Sequence, residues 1–278
     1  MVVTFITIFA LGIAAGVVGA ILGLGGGIII VPELTLGFGM PMRTAVAAST
    51  VSIIATSTGA AVAFLRDRLT NTRVAIWLEM GTATGALTGA LVAGWVNQRF
   101  LFILFGLLLS YSSYNMFRTR HAEHRQDLLP DAISKKLALG GSYYDKALGH
   151  RVDYQVTRTV PGLIIMIFSG AAAGLLGIGA GIFKVPAMDQ VMGMPFKAST
   201  ATSNFMIGVT AASGAVGYFA RGDVQPLVAG PIVLGVLLGA IVGAKLMVRL
   251  RANLIRLCFI PLIAYTALTM IYRGVKWW

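Results

Sequence analysis

Two stretches of this chain carry residue types that can bind an oxyanion through backbone alone: Gly23-Leu24-Gly25-Gly26-Gly27-Ile28-Ile29-Ile30-Val31-Pro32 and Gly177-Ile178-Gly179-Ala180-Gly181-Ile182-Phe183-Lys184-Val185-Pro186. Both interrupt an apolar run of helical length, although a glycine inside a helix costs about 1 kcal/mol. Small residues also let helices pack closely, which is the alternative reading. A glycine cluster closed by a proline five residues later goes further and unwinds the chain. Unwound backbone at membrane depth is tolerated only where it is buried in protein or lines a wet cavity. The N–H groups of Gly25, Gly26 and Gly27, and of Gly179, Ala180 and Gly181, would stand at the starts of helices beginning near Ile28 and Ile182. There they form a dipole-assisted concavity suited to an oxyanion. Gly23 and Pro32 bound the first break, Gly177 and Pro186 the second.

Side-chain donors follow each break in sequence, Ser49 and Thr50 in one case, Ser203 and Asn204 in the other. Each either faces a solute or bonds back to its own preceding helical turn. Lys184 is the one basic residue within the two motifs, and an anionic partner would justify it. Glu33 and Asp189, just past the two prolines, either carry protons or sit in water at an interface. Glu79 and Lys245 also lie within apolar segments, with Lys245 near enough to a helix end to snorkel. Arg43 and Lys197 flank the entrance to the element after each break, either steering anions or serving as ordinary loop charges. No Ser/His/Asp arrangement, HExxH or Walker-type GxxxxGK[ST] occurs, and nothing calls for a metal or cofactor. An enzyme is therefore not expected.

The elements that must hold these residues are membrane helices. Of 278 residues, 57% are hydrophobic and 12% charged, with a mean hydropathy of +0.83, whereas soluble domains carry about 25% charged residues. Apolar stretches near the ~20 residues that cross a bilayer recur along the chain. Val2–Leu22 has no basic n-region and runs straight into the first break, so it reads as a mature membrane segment rather than a signal peptide. The formal charge of +12 falls mostly in loops. It fits the positive-inside bias and attraction to anionic lipid, not a nucleic-acid partner. Cys258 excludes an intrachain disulfide, and the three histidines all lie in the central linker, without metal-site spacing.

Helices are expected at about 2–23, 28–37, 41–65, 74–96 and 100–117, then at 161–176, 182–192, 195–220, 226–250 and 254–272. The 28–37 and 182–192 pieces are half-helices or re-entrant elements. The two series align without a gap at an offset of 154 residues, Gly177 against Gly23. The register pairs Met40-Pro41 with Met194-Pro195, Ser49 with Ser203, and Gly81, Gly85 and Gly89 with Gly235, Gly239 and Gly243. We read an all-α polytopic membrane protein of two tandem repeats, residues 1–117 and 159–278, joined by a cytoplasmic linker, 118–158. If each short piece completes a crossing, the halves are inverted; if it turns back, they are parallel. The inverted arrangement is preferred because it keeps Arg66, Arg68, Arg73, Lys197, Arg249, Arg251 and Arg256 on the same side as the linker's Arg118, Arg120, Arg125, Lys135, Lys136, Lys146, Arg151 and Arg158. In the linker, 141–145 and 150–156 read as a small hairpin. The glycine ladders at 81/85/89 and 235/239/243 let helices approach closely.

On the doubled glycine-proline phrase, on Met194-Pro195-Phe196-Lys197 followed by Ala201-Thr202-Ser203-Asn204-Phe205-Met206, and on Gly141-Ser142-Tyr143-Tyr144-Asp145, the chain resembles the TauE/SafE sulfite exporter family. That family is also described as the 4-toluene sulfonate uptake permease family and was formerly a DUF81 group. Ala180 departs from the triple glycine of the first copy and leaves the backbone argument intact. The resemblance implies a secondary carrier of sulfur-containing anions, such as sulfite, sulfoacetate or other organosulfonates, in a prokaryotic inner membrane. The residues themselves leave open a carboxylate substrate or a passive anion channel. Partners are a small anionic solute, membrane lipid and, as an option, a second copy of the chain in a homodimer.

Overall fold

Long helices form along the apolar runs, and two of them stop at Gly23 and Gly177. The structure is a computed structural model that describes residues 2–118, 129–177, 179–250 and 252–276. Arg120 and Arg125 lie outside those residues, as do Ile178 and Arg251 and the side chains of Arg256 and Cys258. The first series is α1 (Val2–Leu22), α2 (Gly27–Pro32) running into a π-helical turn (Glu33–Gly37), α3 (Met42–Arg66), α4 (Thr72–Ala93) and α5 (Gln98–Arg118). A short α6 (Ala132–Lys136) and a hairpin, β1 (Gly141–Asp145) and β2 (His150–Tyr154), follow. The second series is α7 (Thr159–Leu176), α8 (Gly181–Pro186) with its π turn (Ala187–Val191), α9 (Phe196–Ala220), α10 (Pro226–Arg249) and α11 (Ala252–Val275). The protein is all-α apart from the hairpin among the described residues. α1, α3, α7 and α10 are each long and apolar enough to cross a membrane.

Each expected short piece proves to be two parts, because Pro32 and Pro186 cannot donate to the carbonyl four residues back. The ladder widens directly after them, with Phe38 N–H bonding Glu33 O and Met192 N–H bonding Ala187 O. Pro41 and Pro195 then hold an extended backbone immediately before α3 and α9, at ψ 141° and ψ 143°.

Helices of the two series interleave: α1 packs on α10, α4 on α7, α5 on α11, and α3 on both α9 and α10. Both glycine ladders lie at such contacts. A Cβ on Gly239 would fall 2.1 Å from Ile13 O, and one on Gly89 2.2 Å from Ala171 O. Backbone therefore touches backbone along α1/α10 and α4/α7, as small residues permit in a membrane. Gly12 meets Ile232 and Gly16 meets Val236, so α1 and α10 run parallel.

The hairpin, paired antiparallel from Gly141↔Tyr154 to Asp145↔His150, covers one end of the bundle. Asp145 receives the Lys197 ammonium at 2.7 Å, both side chains buried, and Asp67 receives Lys146 at 2.8 Å. Asn71 donates to Leu139 O at 2.8 Å and to the Tyr154 hydroxyl at 3.1 Å. Burial, with the negative charge of Asp145 and the nearby Tyr154, pushes the Tyr143 hydroxyl well above its ordinary range. The hairpin end thus holds the C-terminus of α3 and the N-terminus of α9. At the other end, Arg43 from the start of α3 donates to Gly94 O, and Arg221 beyond α9 donates to Ala90 O. The two 25-residue helices α3 and α9 consequently run in opposite directions. The π turn after α8 returns to where α7 began, Met192 O accepting from Thr157 N–H at 3.1 Å.

Candidate functional site

Both breaks turn through left-handed backbone. Gly26 at φ 77° and Ala180 at φ 61° precede α2 and α8, a conformation natural to glycine and costly by about 1–2 kcal/mol for alanine. Ala180 keeps it because its carbonyl accepts three bonds, from the N–H groups of Phe183 and Lys184 and from the Ser169 hydroxyl.

Tertiary packing brings the two breaks together in the middle of the bundle. A Cβ on Gly181 would lie 2.2 Å from Gly23 O, and one on Gly179 3.2 Å from Leu24 O. α3 and α9 wall them on either side, with Gly25 against Ile53 and Ile207 and Gly177 against Val46 and Thr50. Reciprocal bonds cross between the series. The Ser49 hydroxyl donates to Gly177 O at 2.6 Å, and the Ser203 hydroxyl donates to Gly23 O at 2.7 Å. Asn204 Nδ2 reaches Ala20 O at 2.8 Å and Thr200 O at 3.1 Å, which leaves its buried Oδ1 without a partner. Thr50 bonds back to Val46 O at 2.8 Å, the local alternative foreseen for it.

Lys184 is fully buried, and its partner is internal. Its ammonium lies 3.1 Å from Glu79 Oε2 and 2.5 Å from the Thr210 hydroxyl. Thr210 in turn donates to Glu79 Oε1 at 2.5 Å, and Thr82 donates to Glu79 Oε2 at 2.8 Å. Sequence reasoning placed Glu79 inside a membrane segment and gave it no role. Its signal was a lone carboxylate in an apolar helix, but its partner sits 105 residues away. The repeat register sets Ile30, Val233 and Thr56 against Lys184, Glu79 and Thr210, so the charge pair, with one member in each half, has no symmetry-related counterpart.

A cavity adjoins this pair, lined by Thr50, Ile53, Gly174, Gly177, Gly179 and Thr210 among others, with about 10 Å³ open to the centre of a water molecule. That is room for about one water. Glu33 is exposed in its π turn and Asp189 half-buried, so neither enters the central cluster. Arg43 and Lys197, read from sequence as possible steering charges, instead tie α3 to the α4–α5 connection and α9 to the hairpin. Among the described residues no group of His, Cys, Asp and Glu side chains could hold a metal ion. A fully buried ammonium bonded to one carboxylate and one hydroxyl is what the cluster offers chemically.

The pattern of the family described as "Sulfite exporter TauE/SafE" matches residues 8–270. The chain is 27% identical over 279 residues to the probable membrane transporter protein YunE of Bacillus subtilis, covering 98% of this chain and 99% of that one. It is 24% identical to the probable membrane transporter protein YdhB of the same organism, over 86% of this chain and 87% of the relative. A probable membrane transporter protein of Methanocaldococcus jannaschii, MJ0441, is 23% identical over 74% of this chain and 69% of its own. No solved structure matches the chain.

Proposed function

The chain belongs to the sulfite exporter TauE/SafE family, a family of membrane transporters, and from that premise we propose that it carries small sulfur-containing oxyanions by alternating access. The observation that carries the reading is the meeting of two unwound segments at the centre of the bundle, joined by Ser49–Gly177 and Ser203–Gly23 bonds. Broken helices meeting between related halves form the site in many secondary transporters. The opposed directions of α3 and α9 support an inverted relation of residues 1–117 and 159–278. The basic linker, 118–158, supports a cytoplasmic hairpin in an inner-membrane protein.

In this reading the backbone-packed pairs α1/α10 and α4/α7 move as rigid blocks while contacts around α3 and α9 repack. The cavity has room for about one water, which in this reading makes the conformation a closed one, and a sulfonate enters when the breaks separate. The N–H groups of Gly25–Gly27 and Gly179–Gly181, with Ser49, Thr50, Ser203, Asn204 and Lys184, then face the solute.

A melting screen on the purified protein tests the substrate class, with sulfite, thiosulfate, sulfoacetate, taurine, sulfate and short carboxylates side by side. Binding to the folded state raises the melting temperature, by about 2.7 kcal/mol of stabilisation at a hundredfold excess over Kd. A rise with sulfur oxyanions alone supports the assignment. A rise with carboxylates alone replaces the substrate. In proteoliposomes, flux that fails to saturate and shows no counterflow replaces the carrier with an anion channel.

A further inference from the structure

The Lys184–Glu79 pair is a charge pair inside the helical bundle, and at the membrane depth the transporter reading gives it each charge is costly enough to imply a function or a strict partner. Its members are unequal. Lys184 is 0% exposed and Glu79 13% exposed by side chain, so the carboxylate is the less buried of the two. Thr210 bridges them, bonding both groups while also lining the central cavity. The pair therefore stands one hydroxyl away from the space where the breaks meet.

Other charges are remote. α7 packs against both α4 and α8 and carries no charged side chain. On α9, Lys197 is held by Asp145 at the hairpin end. On α4, Arg73 donates to Ala138 O at that same end. α5 touches α8 and brings Arg99, bonded to Gly274 O, with Arg118 at its last residue. Asp189, on the π turn after α8, is the one other ionisable group of that arm and has interactions of its own.

We propose that Lys184 and Glu79 form an exchange site at which one oxyanion and one proton are taken up together. This rests on the transporter reading above. In the structure described, Glu79 occupies the ammonium and the Thr210 hydroxyl as an internal stand-in for the transported anion. Protonation of the Glu79 carboxylate ends its claim on Lys184, and the entering oxyanion takes both donors. The charge balance explains the coupling. Empty, the site holds an ammonium and a carboxylate and is neutral. Loaded with a monoanion and a proton, it holds an ammonium, the anion and a neutral carboxylic acid, and is neutral again. An anion without its proton leaves one uncompensated negative charge buried, which is strongly disfavoured. Both neutral states can reorient, whereas the half-loaded state cannot.

The test uses the full chain in proteoliposomes, radiolabelled methanesulfonate as a monoanionic probe, and a pH dye in the lumen. Wild type should accumulate the probe when the outside is acidic and acidify the lumen with it. Glu79→Gln mimics the protonated state. Its methanesulfonate counterflow should no longer respond to external pH, and acid-driven accumulation and lumen acidification should be lost. Lys184→Gln should lose counterflow as well as accumulation. If Glu79→Gln is lost from the membrane, Glu79→Gln/Lys184→Gln decides, because removing both buried charges is commonly near neutral for stability. That double variant should fold and fail to accumulate the probe. Proton-coupled accumulation by either Glu79→Gln variant overturns the proposal, as does saturable wild-type transport without proton movement, which leaves the transporter reading standing. No probe flux or binding in wild type removes both.

Discussion

The serine bonds that cross the centre make a sharp prediction, because each serine holds the break of the opposite half. Ser203 is fully buried on α9, yet its 2.7 Å bond closes on Gly23 O at the end of α1. Ser49 does the same from α3 to Gly177 O. Replacing Ser203 by alanine removes a short, buried donor and leaves the helix itself intact. Orphaning a buried carbonyl costs about 1–3 kcal/mol, while side-chain bonds between membrane helices average about 0.6 kcal/mol. About 1 kcal/mol is expected, or roughly a fivefold rise in the population of the open break. Hydrogen exchange followed by mass spectrometry reads this directly. Ser203→Ala should accelerate exchange about fivefold in peptides spanning 19–30 and leave 196–210 nearly unchanged, with Ser49→Ala acting likewise on 173–184. Acceleration confined to the mutated helix, or none at either break, would refute the idea that these bonds hold the two breaks together.

Further predictions concern the scaffold. Gly239→Ala places a Cβ 2.1 Å from Ile13 O and should destabilise by about 1–3 kcal/mol, as overpacking does, seen as a lower melting temperature. Gly214→Ala, whose nearest atoms stand 3.8 Å away, should be neutral or stabilise by up to about 1 kcal/mol. Lys197→Met or Asp145→Asn alone leaves a buried charge unpaired and should cost about 3–5 kcal/mol, whereas the double substitution should restore most of it; a thermal double-mutant cycle measures the coupling. Burial would raise the Asp131 carboxyl, but bonds from the N–H groups of Thr159 and Ser134 and from the Thr159 hydroxyl outweigh it and hold the group below its usual range. A depressed folded value stabilises above the unfolded value of about 3.9 and is lost as pH falls through the folded one. The melting-temperature gap between wild type and Asp131→Ala should therefore be constant at neutral pH and shrink below about pH 4.

The helices, the two breaks, the hairpin and the family resemblance were legible in the sequence because their causes are local. Apolar runs of membrane length specify helices. Glycine clusters and Pro32 or Pro186 end them within a few residues, and polar-apolar alternation around Lys146–Gly149 specifies the hairpin. The glycine ladders were also readable as faces, since a spacing of four residues places Gly235, Gly239 and Gly243 on one side of α10.

Which partner each polar group takes was decided by tertiary structure. Lys184 looked like an anion site with nothing nearby, and Glu79, 105 residues earlier, became its partner only when α4 and α8 met beside α9. Ser49 and Ser203 were read as solute donors, but packing turns them onto the carbonyls of the opposite breaks, while Thr50 bonds within its own turn. Lys197 and Arg43 resembled loop charges, and the fold spends them on Asp145 and on the end of α4. Sequence determines where the backbone must break and which side chains are too polar for lipid, because those are properties of single residues and short spacings. A buried donor or charge must still find a partner, and which one it finds is a matter of distances between helices far apart in the chain.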